Sequence, residues 1–309
     1  MTSPTLLALP NLAPTRRAVE WAVSASGGGR AVSVKLLRGG MSHANHAIRI
    51  ESAGSIREVV LRRWVRPDWR ETDPEFSPDQ EAATYDLLAS SAVPAPRFLA
   101  VDAEAHECDV PALLMTRAPG TRLVRPRDEA AFLAQLAGAL PLIHCVDPDR
   151  ARRTVPAFQP WYELDSLHVP EWTRLPSAWA GAIEVVRGPE PDEPKTFIHR
   201  DLYHGNTLWV DGRLTAIVDW TTTSWGPRSV DLAHTRLNLA FSFGVGTSDR
   251  FLDACREVGA ADDLDPYWDL RDAVEFLPDM RPDLVSAAKL RRLDDFVVAA
   301  LARLEGRRG

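Results

Sequence analysis

Eight consecutive residues, His199-Arg200-Asp201-Leu202-Tyr203-His204-Gly205-Asn206, hold the densest chemistry in the 309-residue chain. Ile217-Val218-Asp219-Trp220 lies downstream, with Asp219 thirteen residues after Asn206. These residue types suit phosphoryl transfer. That reaction needs a carboxylate beside the attacking hydroxyl, to orient it and accept its proton, and a cation to neutralise the phosphate oxygens. Asp201 can supply the first function. Asn206 offers a neutral oxygen ligand and Asp219 a charged one, and hard oxygen donors of this kind suit Mg²⁺. His199 is read chiefly as a hydrogen-bonding residue that holds the loop, with a proton-shuttle role as the alternative. His204 is a candidate substrate contact.

The elements that must position these groups can be read from the flanking sequence. Thr196–His199, Thr207–Val210 and Leu214–Val218 are expected as short strands, so the loop and Asp219 sit on a strand-loop-strand frame. Upstream, residues 15–25 predict a helix ended by Gly27-Gly28-Gly29, and three strands come next at 31–37, 44–51 and 57–64. The last two are joined by a hairpin turn at 52–55. The stretch 66–78 is expected as a loop, followed by a helix from Ser77-Pro78 to about Ser90 and strands at 97–101 and 111–115. The second half is expected to be mostly helical, with helices at 128–146 and 175–187. In the tail, Leu293, Phe296, Val297, Ala300, Leu301 and Leu304 keep helical spacing.

Composition removes several function classes. Hydrophobic residues make up 45% and charged residues 26%, which excludes a disordered or fibrous chain. A net charge of −7 argues against nucleic-acid binding, which needs a basic field. Cys108, Cys145 and Cys255 are too few and too scattered for a disulfide framework or a cysteine-rich zinc site. No run approaches the ~18 apolar residues of a membrane span, no leader segment is visible, and a cytoplasmic location is expected. Only Lys35, Lys195 and Lys289 are lysines, which narrows the search for a catalytic lysine.

The loop fits H-R-D-L-x-x-x-N, the catalytic-loop pattern of kinases. Together with Asp219-Trp220, Gly226-Pro227 and Asp231-Leu232-Ala233, it resembles the aminoglycoside phosphotransferase family of small-molecule kinases. The resemblance runs from about Val32 to about Ala240. It implies an α+β, protein-kinase-like fold of two lobes: an antiparallel sheet plus helix in residues 1–117, which bind nucleotide, and a mainly helical remainder, 118–309, which carries catalysis and acceptor binding. No Ala-Pro-Glu or activation-loop equivalent comes after Asp219, which weighs against a protein kinase. Asp231 is expected to bond backbone amides near the catalytic loop.

The same resemblance assigns roles in the first lobe. Gly39-Gly40-Met41-Ser42 resembles the turn that covers the nucleotide phosphates, with Gly39, Gly40 and Ser42 as contacts. Arg62, in Val60-Leu61-Arg62, takes the position where protein kinases have lysine. A guanidinium is always charged and grips phosphate bidentately. Glu81 is its natural ion-pair partner, whereas Arg63, on the opposite strand face, is expected in solvent. Met115, Thr116 and Ala118 resemble the hinge that receives the adenine edge through its backbone.

Residues 262–283 hold eight acids against Arg271 and Arg281. Asp265, Asp269 and Asp272 lie near one helical face. A cation-attracting wall for an amine-bearing acceptor is one expectation, with Trp268 stacking beside it, and a solvated face is the other. The expected function is an ATP- or GTP-dependent O-phosphotransferase using Mg²⁺. Its acceptor is a small hydroxylated molecule: an aminoglycoside, a macrolide or similar antibiotic (hence antibiotic resistance), or a metabolite. The alternative is a catalytically silent nucleotide-binding scaffold of the same fold. No nucleic-acid or membrane partner is expected, and the oligomeric state is not legible.

Overall fold

The computed structural model describes residues 11–38, 43–72, 74–123, 125–261, 264–278 and 280–308. The chain divides into two compact units. The first comprises the residues up to Gly120 together with Ala216–Thr222, and the second comprises Thr121–Thr215 and Thr223–Gly309. The sequence placed a single division at 117/118. The return of 216–222 to the first unit depends on tertiary contacts, to which a linear reading is blind.

In the first unit, helix α1 (Arg16–Ala25) starts at Thr15, whose side chain accepts from Ala18 N. Strands β1 (Arg30–Leu36), β2 (Ala44–Ser52) and β3 (Ser55–Arg63) come next. A β-carbon on Gly29 would lie 2.5 Å from the Glu51 carbonyl oxygen, so only glycine lets the chain enter β1 this close to β2. Ser52 pairs with Ser55 across Ala53 and Gly54, both at positive φ (49° and 79°), which is the primed turn that matches strand twist. The stretch read as a loop contains one helical turn, α2 (Trp69–Thr72), before α3 (Pro78–Leu88). Ser77 caps α3 by accepting from Gln80 N at 3.2 Å. Strands β4 (Phe98–Asp102) and β5 (Ala112–Thr116) complete an antiparallel sheet of order β1-β2-β3-β5-β4.

Alternation along β3 decides what each sheet face does. Val59 and Leu61 join Ile48, Ile50 and Leu114 in a core closed by Ala18 and Ala22 of α1. Arg62 points the other way, toward α3. Arg63 departs from its expected exposure. It is 2% exposed, bonded to Asp109 at 2.7 Å and to the Leu12 carbonyl, because the α1 side of the sheet is covered and supplies these oxygens.

The second unit contains α4 (Glu129–His144), α5 (Pro148–Thr154), α6 (Pro176–Arg187), β6 (Lys195–Ile198), β7 (Thr207–Val210) and most of β8 (Arg213–Ile217). After β9 (Ser224–Pro227) come α7 (Ser229–Phe243), α8 (Val245–Glu257), α9 (Pro266–Glu275) and α10 (Ala287–Arg308). Strands β6 and β9 pair antiparallel, and β7 pairs with β8. Strand β9 was not expected, and it contains Gly226 and Pro227, residues that disfavour a strand interior. Its edge position and the pairing with β6 override them. Trp179, Leu237, Leu270, Val274, Phe296 and Val297 build one buried core from α6, α7, α9 and α10, as the tail periodicity anticipated. Among the described residues no single helix is long and apolar enough to cross a membrane.

Candidate active site

The second unit holds the catalytic-loop motif. β6 delivers the chain into His199, and Asp231 in the first turn of α7 pins the turn that His199 opens. The fully buried Asp231 carboxylate accepts from His199 N at 3.0 Å and Arg200 N at 2.7 Å, and lies 3.1 Å from His144 Nε2. Burial opposes its charge, but the bond to His144 and these donors outweigh that and hold its pKa below the ordinary value. The pinning matters because Arg200 sits at φ 71°, a left-handed conformation that costs a non-glycine residue about 1–3 kcal/mol. The Arg200 guanidinium stacks over Trp161 at 3.5 Å and donates to the Gln159 carbonyl at 2.5 Å, so the side chain serves the loop's frame.

Asp201 is held from two sides. Asn206 Nδ2 donates to Asp201 Oδ2 at 2.8 Å and to its carbonyl at 3.0 Å. His234 Nε2 lies 3.0 Å from Oδ1. The carboxylate is nevertheless 37% exposed, whereas Asn206 is buried. His199 is buried, and its Nδ1 accepts from Asp201 N at 3.3 Å, which fits the loop-holding reading. His204 packs against Phe243 and Tyr203 with ring centroids 5.2 and 5.5 Å away. Burial, aided by Lys289, pushes its pKa down to about 4, so it is uncharged at neutral pH. A β-carbon on Gly205 would come within 2.2 Å of the Tyr203 ring, so the glycine is a packing requirement.

His234 was missed by the sequence reading. It lies three residues after Asp231 on α7, and i, i+3 spacing places both on one helix face. Its second nitrogen, Nδ1, lies 3.0 Å from Asp272 Oδ1 on α9.

The first unit holds a second polar cluster. Arg62 Nη1 donates to Glu81 Oε1 at 3.0 Å, and Nη2 is bonded to Asp219 and lies 3.2 Å from His43 Nδ1. Thr221 Oγ1 donates to Glu81 Oε2 at 3.1 Å. Burial works against the Arg62 charge, but Asp219 and Glu81 outweigh it and raise its pKa. Burial pushes Glu81 up to about 7, against the pull of Arg62. Asp219 adopts φ 70°, a second left-handed non-glycine position. Met115 is buried on β5 and its sulfur accepts from Tyr85 Oη at 3.4 Å. The Thr116 amide donates to Arg97 O and the Arg117 amide to Glu58 O, so these two hinge amides are spent within the sheet; Ala118 is the first residue beyond them. Gly39, Gly40 and Ser42 lie outside the described residues.

The acidic wall is not what the structure builds. Asp269 is fully buried between Arg236, at 3.1 Å, and Arg303. Asp265 caps α9 through Tyr267 N at 2.9 Å and pairs with Arg307. Glu275 pairs with Arg271, and Asp272 faces His234. Trp268 is 1% exposed and belongs to the core. The shared helical face was legible, but it turns inward because basic partners from α7, α9 and α10 consume it. Asp262, Asp263 and Asp279 lie outside the described residues.

Comparison with known proteins agrees with this architecture. The fold is similar to that of the aminoglycoside phosphotransferase APH(4)-Ia, with 18% identity and a TM-score of 0.61 over 92% of this chain and 98% of that one. It is also similar to the macrolide 2'-phosphotransferase MphH from Brachybacterium faecium, with 17% identity and a TM-score of 0.56 over 94% and 95% of the two chains. A third similar structure is the amicoumacin kinase hAmiN in complex with AMP-PNP, Ca²⁺ and Ami, with 13% identity and a TM-score of 0.56 over 93% of each chain. No curated protein matches by sequence. The family model described as the phosphotransferase enzyme family matches residues 33–267, a span that includes Arg62, Glu81, the catalytic-loop motif, Asp219 and Asp231. The chain belongs to the phosphotransferase enzyme family.

Proposed function

We propose that this enzyme transfers the γ-phosphoryl group of ATP or GTP to a hydroxyl of a small molecule, with Asp201 as the base. The observation that carries the reading is the Asp201 carboxylate, solvent-accessible yet bonded by Asn206 at 2.8 Å and His234 at 3.0 Å. Phosphoryl transfer passes through a loose transition state in which positioning outweighs the strength of the base. A carboxylate restrained on both oxygens, in a loop pinned by Asp231, suits that requirement.

The remaining roles come from the chemistry of the other groups. Arg62, kept charged by two carboxylates, is the residue offered to the nucleotide phosphates. Ala118, beyond the two committed hinge amides, is the backbone position offered to the adenine or guanine edge. Among the described residues no group of three or more His, Cys, Asp or Glu could hold a metal ion. Mg²⁺ does not require one, since it is commonly held by one or two protein oxygens plus substrate phosphates. Asn206 fits, because its amide nitrogen is committed to Asp201 and its oxygen is the atom suited to a cation. Asp219 supplies the charged oxygen. When bound, the cation would neutralise charge on the phosphate oxygens.

Relatives of similar fold act on aminoglycoside and macrolide antibiotics, and the acceptor proposed here is a hydroxylated compound of that size class. The test is incubation with Mg-ATP or Mg-GTP and a panel of hydroxylated antibiotics and metabolites, read by ³¹P NMR. A phosphate ester must form, and Asp201→Asn must abolish it. Undiminished transfer by that variant would overturn the mechanism.

A further inference from the structure

We propose that His234 is the positioning residue for Asp201: a protonated imidazole, anchored on Asp272, whose Nε2–H fixes the orientation of the catalytic carboxylate. The inference rests on the reading of Asp201 as the base. Its geometry is a three-member bridge, with Asp272 Oδ1 3.0 Å from His234 Nδ1 and His234 Nε2 3.0 Å from Asp201 Oδ1. Ionised carboxylates only accept hydrogen bonds, so both ring nitrogens must carry protons. The imidazolium form is therefore dictated by the two partners.

The surroundings agree. The catalytic loop brings Asp201 and the Tyr203 ring to His234, α9 brings Asp272, and α7 itself brings Asn238. Asn238 Nδ2 donates to the His234 carbonyl at 2.9 Å and passes 3.2 Å from Nε2 as a neighbour. Burial alone would lower the His234 pKa, but Asp272, together with the hydrogen bonds to Asp201 and Asp272, raises it well above the ordinary value. Among the described residues, Asp272 Oδ2 is buried without a hydrogen-bond partner. An unsatisfied buried carboxylate oxygen is costly and calls for a reason. Anchoring His234 is such a reason.

The bridge solves a specific problem. The terminal torsion of an aspartate is broad, and an exposed carboxylate samples it freely. With Asn206 on Oδ2 and His234 on Oδ1, Asp201 keeps one orientation while remaining accessible.

The experiment uses the full-length, ¹⁵N-histidine-labelled protein. Imidazole resonances are tracked against pH, and His234 is assigned by its loss in His234→Gln. Both His234 nitrogens should stay protonated through pH 8, and Asp272→Asn should lower the midpoint by roughly one unit or more. If that variant does not fold, Asp201→Asn, at the exposed end of the bridge, should lower it likewise. In parallel, Mg-ATP turnover with water as acceptor should fall about 10- to 100-fold in kcat for Asp272→Asn, with KM for nucleotide unchanged. A wild-type midpoint near 6.5 would overturn the proposal. So would a shifted midpoint with unchanged kcat. A doubly protonated His234 released by Asp272→Asn, in a protein that phosphorylates nothing, would remove the phosphotransfer reading and leave the bridge standing.

Discussion

Arg62 Nη1 lies 3.0 Å from Glu81 Oε1, and the two side chains are 5% and 0% exposed. They come from two elements of the first unit, β3 and α3, and since Arg62 is also bonded to Asp219, Glu81 is the member that loss of its partner would strand. Removing one member of a buried pair destabilises by about 3–5 kcal/mol, whereas replacing both with apolar residues of similar volume is often neutral. Arg62→Met, which strands the fully buried Glu81, should therefore cost that much in urea unfolding, and Glu81→Leu should cost less because Arg62 keeps Asp219. The double variant Arg62→Met/Glu81→Leu should recover most of the stability. Nucleotide binding, measured by calorimetry, should not recover, because the phosphate-binding cation is gone. Recovery of both would show that the pair is only a packing device.

Asp231 carries the catalytic loop on three donors, two of them the backbone amides of His199 and Arg200. Each buried donor left unsatisfied costs about 1–3 kcal/mol. Asp231→Ala should therefore lower stability by at least ~3 kcal/mol, and the Arg200 amide should exchange its hydrogen faster than the amides of the α6–α10 core. Asp231→Asn keeps one acceptor and should fall between. Unchanged protection at Arg200 would mean that another group holds the left-handed turn.

Much of this was legible in sequence because it is local. Asp201 and Asn206 are five residues apart, and the loop between them is short enough for the side chains to meet. Asp231 was legible through the Asp-Leu-Ala segment. His234 and Asp272 were not, since their partners lie 33 and 38 residues away and nothing local marks a histidine that two carboxylates will share. Asp269 shows the opposite failure. Its helical face was read correctly and its direction was not, because burial of that face depends on Arg236 and Arg303, which come from other helices.

Two of the shifted groups around the loop, Asp231 and His234, set limits on pH stability. Asp231 has a depressed pKa, so its contribution is present above the unfolded carboxylate value of ~3.9 and is lost as the pH falls through its folded value. His234 has a raised pKa, so its contribution is fully present below ~6.5 and is lost as the pH rises through its folded value. Urea midpoints measured from pH 3 to 10 should therefore decline at both ends. Asp272→Asn should flatten the alkaline decline and leave the acid one in place. An alkaline limb identical in that variant would assign the loss to other groups.

Gly226 is fixed by close approach rather than by backbone conformation. A β-carbon there would lie 2.5 Å from Phe158 Cβ. That neighbour has little room to retreat, because Phe158 N donates to the Trp225 carbonyl at 3.0 Å and Ala157 bridges to Trp225 in parallel. Gly226→Ala should cost about 1–3 kcal/mol as an overpacking change. The strain should also reach the catalytic loop, since the Arg200 guanidinium lies 5.1 Å above the Phe158 ring. Gly138→Ala is the control: it sits within α4, nothing among the described residues outside its own helix backbone lies within 4 Å of the added carbon, and removing a helical glycine should stabilise by about 0.5–1 kcal/mol. The two substitutions add the same methyl group, so opposite signs in denaturation, with kcat lowered only in Gly226→Ala, would separate contact at β9 from any general effect of the change. Equal signs would mean that the segment around Phe158 yields, and that the Gly-Pro pair is not held by packing.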